Sequence, residues 1–474
     1  MALSIIPRIF QMANLLDKIY SISPVWIQNL GVSLYGLYWM QRRYGGNFKA
    51  DSLRFTQREN YTESEWNEYQ QNQLRKLLIH SDSQVPFYQQ VFQISGLTRS
   101  DLENFTLKDL EKLPVVTKEI LRAEPQAFLA SKRKKTAKSY LTSGTTGTPL
   151  AIRFTKDGDR LVQAAYESRV RNWAGVNYKM SRAMIGGRLV VPRANSKPPF
   201  WRYNWVEKQL YMSAFHISPS TAPDYAKALN HYKLDYLVGY ASSHFFLARM
   251  LDEMRIDMYT PKAVLTSSEK LTLEMRTIIE KVYHCEVFDA YSGVEACCQA
   301  SECEYHRLHI SPDMGIIEFL DDKDQPVKTG IPGRIVATGL LNYAQPLIRY
   351  DTGDIGILSG ESCPCGRQMP VIEELVGRLE DTVIGKDGRE TVRFHGIFTG
   401  LVNVREGQVI QEDYDQFRVR LVVGPSFNDQ DKNAIYDRFF QRLGRINLDF
   451  DIVDQIERTE RGKFKAVISK VQRK

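Results

Sequence analysis

The segment Thr142-Ser143-Gly144-Thr145-Thr146-Gly147-Thr148-Pro149 contains no charged side chain and no large apolar side chain. Its glycines allow the backbone to turn tightly and to come close to a ligand. Its hydroxyl groups and backbone N–H groups can donate hydrogen bonds to phosphate oxygens. The segment lacks the Gly-Lys-Ser/Thr ending of a Walker A loop, and the basic run Lys132–Lys135 precedes it. It therefore favours a phosphate-binding loop over an ordinary turn.

Two further segments carry residues that suit a nucleotide. In Tyr350-Asp351-Thr352-Gly353-Asp354, an acidic residue follows a tight glycine turn and could accept hydrogen bonds from ribose hydroxyls. In Tyr291-Ser292-Gly293-Val294-Glu295, the aromatic ring could stack on a base and the carboxylate could hold Mg²⁺ beside phosphates. Taken singly, each segment is equally compatible with a surface turn, and that alternative stays open.

The six cysteines all lie between residues 285 and 365. A secreted disulfide framework would spread them and would follow a signal peptide, which the first residues do not resemble. We therefore expect a reducing, cytoplasmic environment. Cys363-Pro-Cys365 could form one half of a tetrahedral zinc site, with Cys303 and either His306 or His309 as the other half. The alternative is that these cysteines are small core residues.

Composition narrows the class of protein. The chain has 474 residues, of which 43% are hydrophobic and 25% charged, with a net charge of +7. These values are typical of a globular protein and argue against a disordered chain or one with many membrane spans. The length suggests about three domain-sized units, or one large domain and a small one. Because no broad basic stripe is interleaved with aromatics, we expect no nucleic-acid partner.

The N-terminal region requires a separate prediction. Residues 19–41 carry no charge, yet Pro24 and Gly31 interrupt the stretch. A membrane span needs about 20 mostly apolar residues. The sequence therefore favours a packed N-terminal segment over a span, with contact at a membrane interface as the alternative.

Hydrophobic periodicity predicts several elements. Thr62 and Glu65 fit a capping box that starts a helix over 62–80, and residues 314–320 and 333–340 alternate like strands. Near the C-terminus, the pattern predicts a strand around 417–421, a helix over 435–443 and a strand over 446–452. This small α+β unit is separable near Gly377-Arg378.

The order and spacing of these motifs resemble one family. Further matching segments are Val85-Pro86-Phe87-Tyr88, Asp109–Lys118, Gly239-Tyr240, Leu341–Tyr350 and Arg461-Gly462-Lys463-Phe464. Together they resemble the adenylate-forming superfamily of acyl-CoA synthetases and related ligases. The phenylacetate–CoA ligase branch is the most similar, especially its CapK-like members associated with capsular polysaccharide biosynthesis. The resemblance covers nearly the whole chain.

The resemblance implies an α/β fold in two parts. Residues 1–376 would form a large N-terminal adenylation domain with mixed sheets and packed helices, including a helical segment over 1–125. Residues 377–381 would form a hinge, with Glu380 at its centre, and residues 382–474 a small mobile α+β domain. The implied activity is an ATP- and Mg²⁺-dependent ligase that forms an acyl-adenylate and pyrophosphate, then transfers the acyl group to a thiol such as CoA.

Two alternatives to this activity stay open at the level of sequence. The acyl group could pass to an amine or hydroxyl, such as one on a sugar of a polysaccharide precursor. The chain could also be a non-catalytic component of a glycan assembly system that binds nucleotide and zinc.

The resemblance also implies residue roles. The residues implied to cradle the ATP phosphates are Ser143, Gly144, Thr145, Thr146 and Gly147. The remaining nucleotide contacts would come from Ser268 and Glu269 beside adenine, Tyr291 against the base, and Asp354 and Arg378 at the ribose. Glu295 would bind Mg²⁺, and Lys463 would act with Thr145 and Glu295 in adenylation. Tyr240, Ser242 and His244 would line the acyl pocket. The structural zinc site of this branch favours Cys303, His309, Cys363 and Cys365.

The sequence departs from the family pattern at three positions. Leu150 stands where many relatives carry a lysine after the loop proline, and Ser292 replaces a glycine. Val294 replaces the hydroxyl-bearing residue before Glu295. These departures are compatible with a nucleotide site. They leave open how fast the reaction runs and which acceptor takes the acyl group in the second step.

Overall fold

The computed structural model describes residues 20, 22–133, 138–142, 150–186, 188, 190–191, 197–378, 383–385, 390–391, 394–398, 401, 403–458 and 464–471. The longer helices are α1 (Val25–Tyr44), α2 (Phe48–Arg58), α3 (Glu63–Gln84), α4 (Pro86–Ile94), α5 (Arg99–Glu103), α6 (Lys118–Ala123), α7 (Lys156–Tyr166), α8 (Ala222–Tyr232), α9 (Ala241–Glu253), α10 (Leu273–Tyr283) and α11 (Asp429–Leu443).

The strands fall into one large sheet and three smaller ones. They are β1 (Lys138–Leu141), β2 (Ala151–Phe154), β3 (Arg182–Gly186), β4 (Trp201–Asn204), β5 (Gln209–Ser213), β6 (Tyr236–Tyr240), β7 (Val264–Ser267), β8 (Val287–Ser292), β9 (Gln299–Glu302), β10 (Leu308–Ile310), β11 (Gly315–Leu320), β12 (Pro332–Gly339), β13 (Tyr350–Leu358), β14 (Val371–Arg378), β15 (Val383–Ile384), β16 (Glu390–Thr391), β17 (Val404–Asp413), β18 (Gln416–Val423), β19 (Asn447–Ile452) and β20 (Val467–Ser469).

The large sheet is half parallel and half antiparallel. Within the described residues its twelve strands follow the order β11-β12-β13-β14-β10-β9-β8-β7-β6-β3-β5-β4. Strands β8, β7, β6, β3 and β5 run parallel, and α9 and α10 are the crossovers that join β6 to β7 and β7 to β8. Parallel strands need such crossovers, because a tight turn cannot return the chain to the same end of the sheet.

Local sequence explains the N-terminal helices. Thr62 accepts a hydrogen bond from the backbone N–H of Glu65, whose carboxylate accepts one from the backbone N–H of Thr62, so the predicted capping box starts α3. Leu74, Leu77 and Leu78 of this helix are fully buried. They belong to a core that also includes residues from α2 and the antiparallel half of the sheet. In the described residues, no helix is both long and apolar enough to cross a bilayer.

The C-terminal sheet has the order β19-β18-β17-β20 and its own apolar core with α11. The predicted strand, helix and strand correspond to β18, α11 and β19. Sequence analysis missed β17, because several of its buried positions are polar. Glu406 pairs with Arg458, and the side-chain amide of Gln411 bonds the backbone of Ile384. Polar side chains at buried positions remove the apolar alternation that marks a strand.

Candidate functional site

A cleft with a cavity volume of about 410 Å³ opens at the carboxyl ends of β6, β7 and β8. Ser242 follows β6, Ser268 and Glu269 follow β7, and Tyr291 lies near the end of β8. All four residues line the cleft. In parallel α/β sheets the carboxyl ends of neighbouring strands share one edge, which is where ligands bind. The topology thus brings together motifs that lie far apart in the sequence.

Glu269 connects three parts of the chain at the cleft. One carboxylate oxygen accepts a hydrogen bond from the backbone N–H of Ser242, at 3.0 Å. The other accepts one from the backbone N–H of Phe464, at 3.1 Å. Because Phe464 comes just before β20 of the C-terminal sheet, this carboxylate joins the two sheets across the cleft.

Tyr291 and Asp354 are direct partners. The Tyr291 hydroxyl donates a hydrogen bond of 2.8 Å to the Asp354 carboxylate. Burial, and then the neighbouring Asp354 carboxylate, raise the pKa of Tyr291 well above its ordinary value, so its hydroxyl stays protonated as a donor. Asp354 lies on β13, which reaches the cleft from the antiparallel half of the sheet.

Glu295 is held in the same cleft by Tyr350. The Tyr350 hydroxyl donates a hydrogen bond of 3.1 Å to one Glu295 oxygen. An added Cβ at Gly293 would lie 2.5 Å from the other oxygen, so any larger residue there would displace the carboxylate. The carboxylate therefore has a fixed position at the cleft wall, and carboxylate oxygen is a suitable ligand for Mg²⁺.

Several predicted residues lie outside the described residues: Ser143, Gly144, Thr145, Thr146, Gly147, Glu380 and Lys463. The residues that flank the loop, Thr142 and Leu150, are bonded to each other and both line the cleft. For Arg378 only the backbone is described, and it lies opposite Asp354 in the β13–β14 ladder.

The predicted acyl-pocket residues do not lie together at the cleft. Ser242 lines it, whereas Tyr240 and His244 are not among its lining residues. His244 is fully buried, with its ring 6.2 Å from that of Tyr283 in an edge-on contact. Burial lowers the pKa of His244 to about 4, so its ring is neutral at neutral pH.

Sequence analysis assigned no role to three residues that the structure places at the cleft. Lys118 lines it, and an added Cβ at Gly353 would lie 2.9 Å from the Lys118 ammonium nitrogen. Phe246 on α9 meets Phe464 in an edge-on ring contact at 5.5 Å. Lys118 is a single lysine in a segment with other charged residues, so no sequence signal separated it from a solvated surface residue.

A second group of side chains forms a possible metal centre away from this cleft. The ligand atoms of Cys303, His309, Cys363 and Cys365 all lie within 4.8 Å of one another. The Cys303 and Cys363 sulfurs are 3.6 Å apart, and the Cys365 sulfur is 3.4 Å from Nε2 of His309. A tetrahedral zinc site with ordinary bond lengths has edges of about 3.5–3.8 Å. The four side chains therefore fit Zn²⁺ in geometry and in donor type.

The surroundings of this cluster orient its ligands. Nδ1 of His309 contacts the backbone carbonyl of Met369 at 3.1 Å, which leaves Nε2 facing the sulfurs. Burial raises the pKa of Cys303 to about 12, and a divalent cation would reverse this by stabilising the thiolate. His306, the alternative ligand, lies outside the cluster and contacts Glu302 and Arg276.

The fold is shared with an enzyme of known structure. A crystal structure of 2-hydroxyisobutyryl-CoA ligase, in the postadenylation state with a bound acyl-AMP, superposes with a TM-score of 0.70. The two chains are 19% identical, and the match covers 87% of this chain and 91% of that one. The mixed α/β fold with a C-terminal domain, predicted from sequence, is confirmed, and it is the fold of adenylate-forming ligases.

Sequence comparisons give further similarities. The chain is 28% identical to the protein CapK of Staphylococcus aureus over 97% of its own length and all of the relative's. It is 26% identical to a phenylacetate–coenzyme A ligase of Thermus thermophilus, over 66% of this chain and 71% of that enzyme. The family model of the CapK C-terminal domain matches residues 384–470. The chain is therefore similar to CapK over nearly its whole length, and to phenylacetate–CoA ligases over about two thirds of it.

Proposed function

We propose that this chain activates a small carboxylic acid with ATP and Mg²⁺ and passes the acyl group to a thiol such as CoA. The observation that carries the proposal is the convergence of Glu269, Tyr291, Glu295 and Asp354 on one cleft. Glu269 follows β7, Tyr291 and Glu295 lie at the end of β8 and just after it, and Asp354 lies on β13. Each matches a family position for nucleotide or metal.

The chemistry requires two displacements. A substrate carboxylate oxygen attacks the α-phosphorus of ATP, and pyrophosphate leaves with the electron pair of the broken P–O bond. A thiolate then attacks the acyl carbon, and AMP leaves. Negative charge grows on phosphate oxygens in the first step, so fixed donors, a metal and cations are the groups that stabilise it. Glu295 would hold Mg²⁺, and Asp354 would accept hydrogen bonds from the ribose hydroxyls.

Lys118 supplies a positive charge at the cleft, since residues 142–149 contain no charged side chain. Leu150 is buried at the cleft, where many relatives carry a lysine. Lys118 lines the same cleft and reaches it from the N-terminus of α6. Its ammonium group would therefore offset the negative charge of the phosphates. In many relatives, the lysine at the position of Leu150 would do this.

Pyrophosphate exchange tests the activity. The purified chain, with ATP and Mg²⁺, should exchange labelled pyrophosphate into ATP in the presence of at least one member of a broad carboxylic-acid panel. Lys118→Ala should lower that exchange by about 100-fold, the effect of removing one transition-state donor. Lys108→Ala removes an exposed lysine nearby and is the matched control.

Two results would count against the proposal. Absence of exchange across the panel would exclude adenylate formation, and equal exchange by the Lys118→Ala variant and the wild type would exclude the role of that lysine. The acceptor is a separate question. The mass of the product formed with CoA, or with amine and hydroxyl acceptors, decides between thioester, amide and ester.

A further inference from the structure

Helix α1 buries its polar side against the protein and exposes its apolar side to solvent. Its buried side carries Gln28, Ser33, Gly36, Trp39 and Arg42, most of which are polar or small. Hydrogen bonds hold this side to the protein. The backbone N–H groups of Tyr203 and Trp205 donate to the side chains of Asn29 and Ser33, both at 3.0 Å, and Arg42 pairs with Asp159. Ordinary surface helices bury their apolar side instead.

The opposite side of α1 is apolar and exposed to solvent. Its members are Trp26, Ile27, Leu30, Leu34, Leu37 and Tyr38, which we call the apolar face, and they are 38–65% exposed. Their spacing of three and four residues places them along one stripe of a helix that is about 30 Å long. Trp205 and Val206, next to α1, are also exposed and extend this surface.

The charged residues of α1 and of its neighbours in the sequence have one sign. Residues 18–50 contain no aspartate or glutamate. The Lys138 ammonium lies 4.8 Å from the ring of Tyr38, a member of the apolar face, and 3.9 Å from the ring of Trp39. This cation therefore borders the apolar face directly.

We propose that α1 lies flat on an anionic lipid bilayer, with its apolar face in the interface and Lys138 against lipid phosphates. Tryptophan and tyrosine favour this depth, because one part of each ring system is apolar and another is polar. A basic border adds attraction to anionic lipid. The helix lies on the membrane and does not cross it.

A second copy of the chain is a poorer occupant of the apolar face. A two-fold contact through this face would bury Lys138 at its edge, and residues 18–50 offer no carboxylate to pair with it. An anionic bilayer would bury the apolar side chains and attract the positive charge at the border of the apolar face. The proposal does not depend on the enzymatic activity.

Vesicle flotation with the full chain tests the proposal. The protein should float with vesicles of phosphatidylethanolamine and phosphatidylglycerol, and bind vesicles of phosphatidylcholine alone at least 10-fold less. Leu30→Glu combined with Leu34→Glu should lower binding to the anionic vesicles at least 10-fold. Ile94→Glu places the same charge at an exposed apolar position of α4 and should leave binding unchanged.

Tryptophan fluorescence of the wild-type chain tests the proposal even if the Leu30/Leu34 double variant does not fold. Vesicles with brominated acyl chains should quench part of the tryptophan fluorescence, and Trp26→Phe should remove much of that part. Three results would overturn the proposal: no flotation with anionic vesicles, equal flotation of the wild type and the Leu30/Leu34 variant, or self-association through Leu30 and Leu34 without any vesicle binding.

Discussion

Asp289 shows how one residue acquires properties that its sequence context does not reveal. It borders both the candidate site cleft and a second cleft of about 430 Å³. Its carboxyl accepts a hydrogen bond of 2.7 Å from Thr266, and its backbone N–H donates to Glu302 at 2.8 Å. Burial, reinforced by the Glu302 charge, raises the pKa of Asp289 to about 7.

This pKa predicts a pH dependence of stability. The unfolded pKa of an aspartate is about 3.9, so between that pH and about 7 the folded state binds more protons than the unfolded state. The contribution of Asp289 is therefore complete below about pH 4 and is lost as pH rises through about 7. Asp289→Asn should make the free energy of unfolding less dependent on pH across this window, as measured by urea denaturation.

The exposed Asp257 provides the control for this measurement. Asp257→Asn should leave the pH profile of the wild type unchanged. If the Asp289→Asn profile keeps the wild-type slope between pH 4 and 7, the carboxyl is ionised in the folded state and the assignment is wrong.

At the scale of elements, the Cys/His cluster joins two short loops. One loop carries Cys303 between β9 and β10, and the other carries Cys363 and Cys365 between β13 and β14. His309 lies on β10, which pairs with β14. Because β10 is only three residues long, a metal that joins the flanking loops would stabilise this part of the sheet.

We therefore expect about one Zn²⁺ per purified chain, measured by elemental analysis. Cys363→Ser combined with Cys365→Ser should lose the metal and lower the melting temperature by about 4–8 °C, the shift expected for ~2 kcal/mol in a large domain. His306→Gln changes a neighbouring histidine outside the cluster and should retain the metal. A wild-type chain without zinc, or a double variant with full zinc content, would refute the site.

At the scale of the whole molecule, α9 and the C-terminal sheet meet at the cleft. Arg249 donates a hydrogen bond of 2.9 Å to the backbone carbonyl of Val404, and Arg405 pairs with Glu253. Beside them, the Arg458 guanidinium lies 4.9 Å from the Phe246 ring and 4.8 Å from the Phe464 ring. These contacts hold the segment that begins at Phe464 against the candidate site cleft.

Removal of the contact between Phe246 and Phe464 should lower adenylate formation more than acyl transfer, the two proposed half-reactions. Phe246→Ala removes a ring contact worth about 1 kcal/mol, so pyrophosphate exchange should fall about 5- to 10-fold. Transfer from a supplied acyl-adenylate should change less than about 2-fold, because the role that the resemblance implies for Lys463 belongs to the first step only. The half-exposed Met254 just after α9 offers a control truncation, Met254→Ala. Equal loss of both half-reactions in Phe246→Ala would exclude this role for the contact.

The sequence by itself determined the fold class of this protein and several of its local elements, and it predicted the residue types of a site. Candidate nucleotide and metal sites could be predicted because glycine turns, carboxylates and thiols have specific chemical uses. The motifs concerned are residues 142–149, the segments around Tyr291 and Asp354, and the cysteine pattern. Helix α3 and strands β11, β12, β18 and β19 could be predicted because local periodicity and capping decide them.

Tertiary structure decided what the sequence left open. It placed His309 rather than His306 in the Cys/His cluster, because the pairing of β10 with β14 directs His309 toward the loop of Cys363. It paired Tyr291 with Asp354, brought Lys118 to the cleft and left the apolar face of α1 toward solvent. Each of these depends on contacts between distant parts of the chain, which crossover connections and sheet order set and which local patterns do not encode.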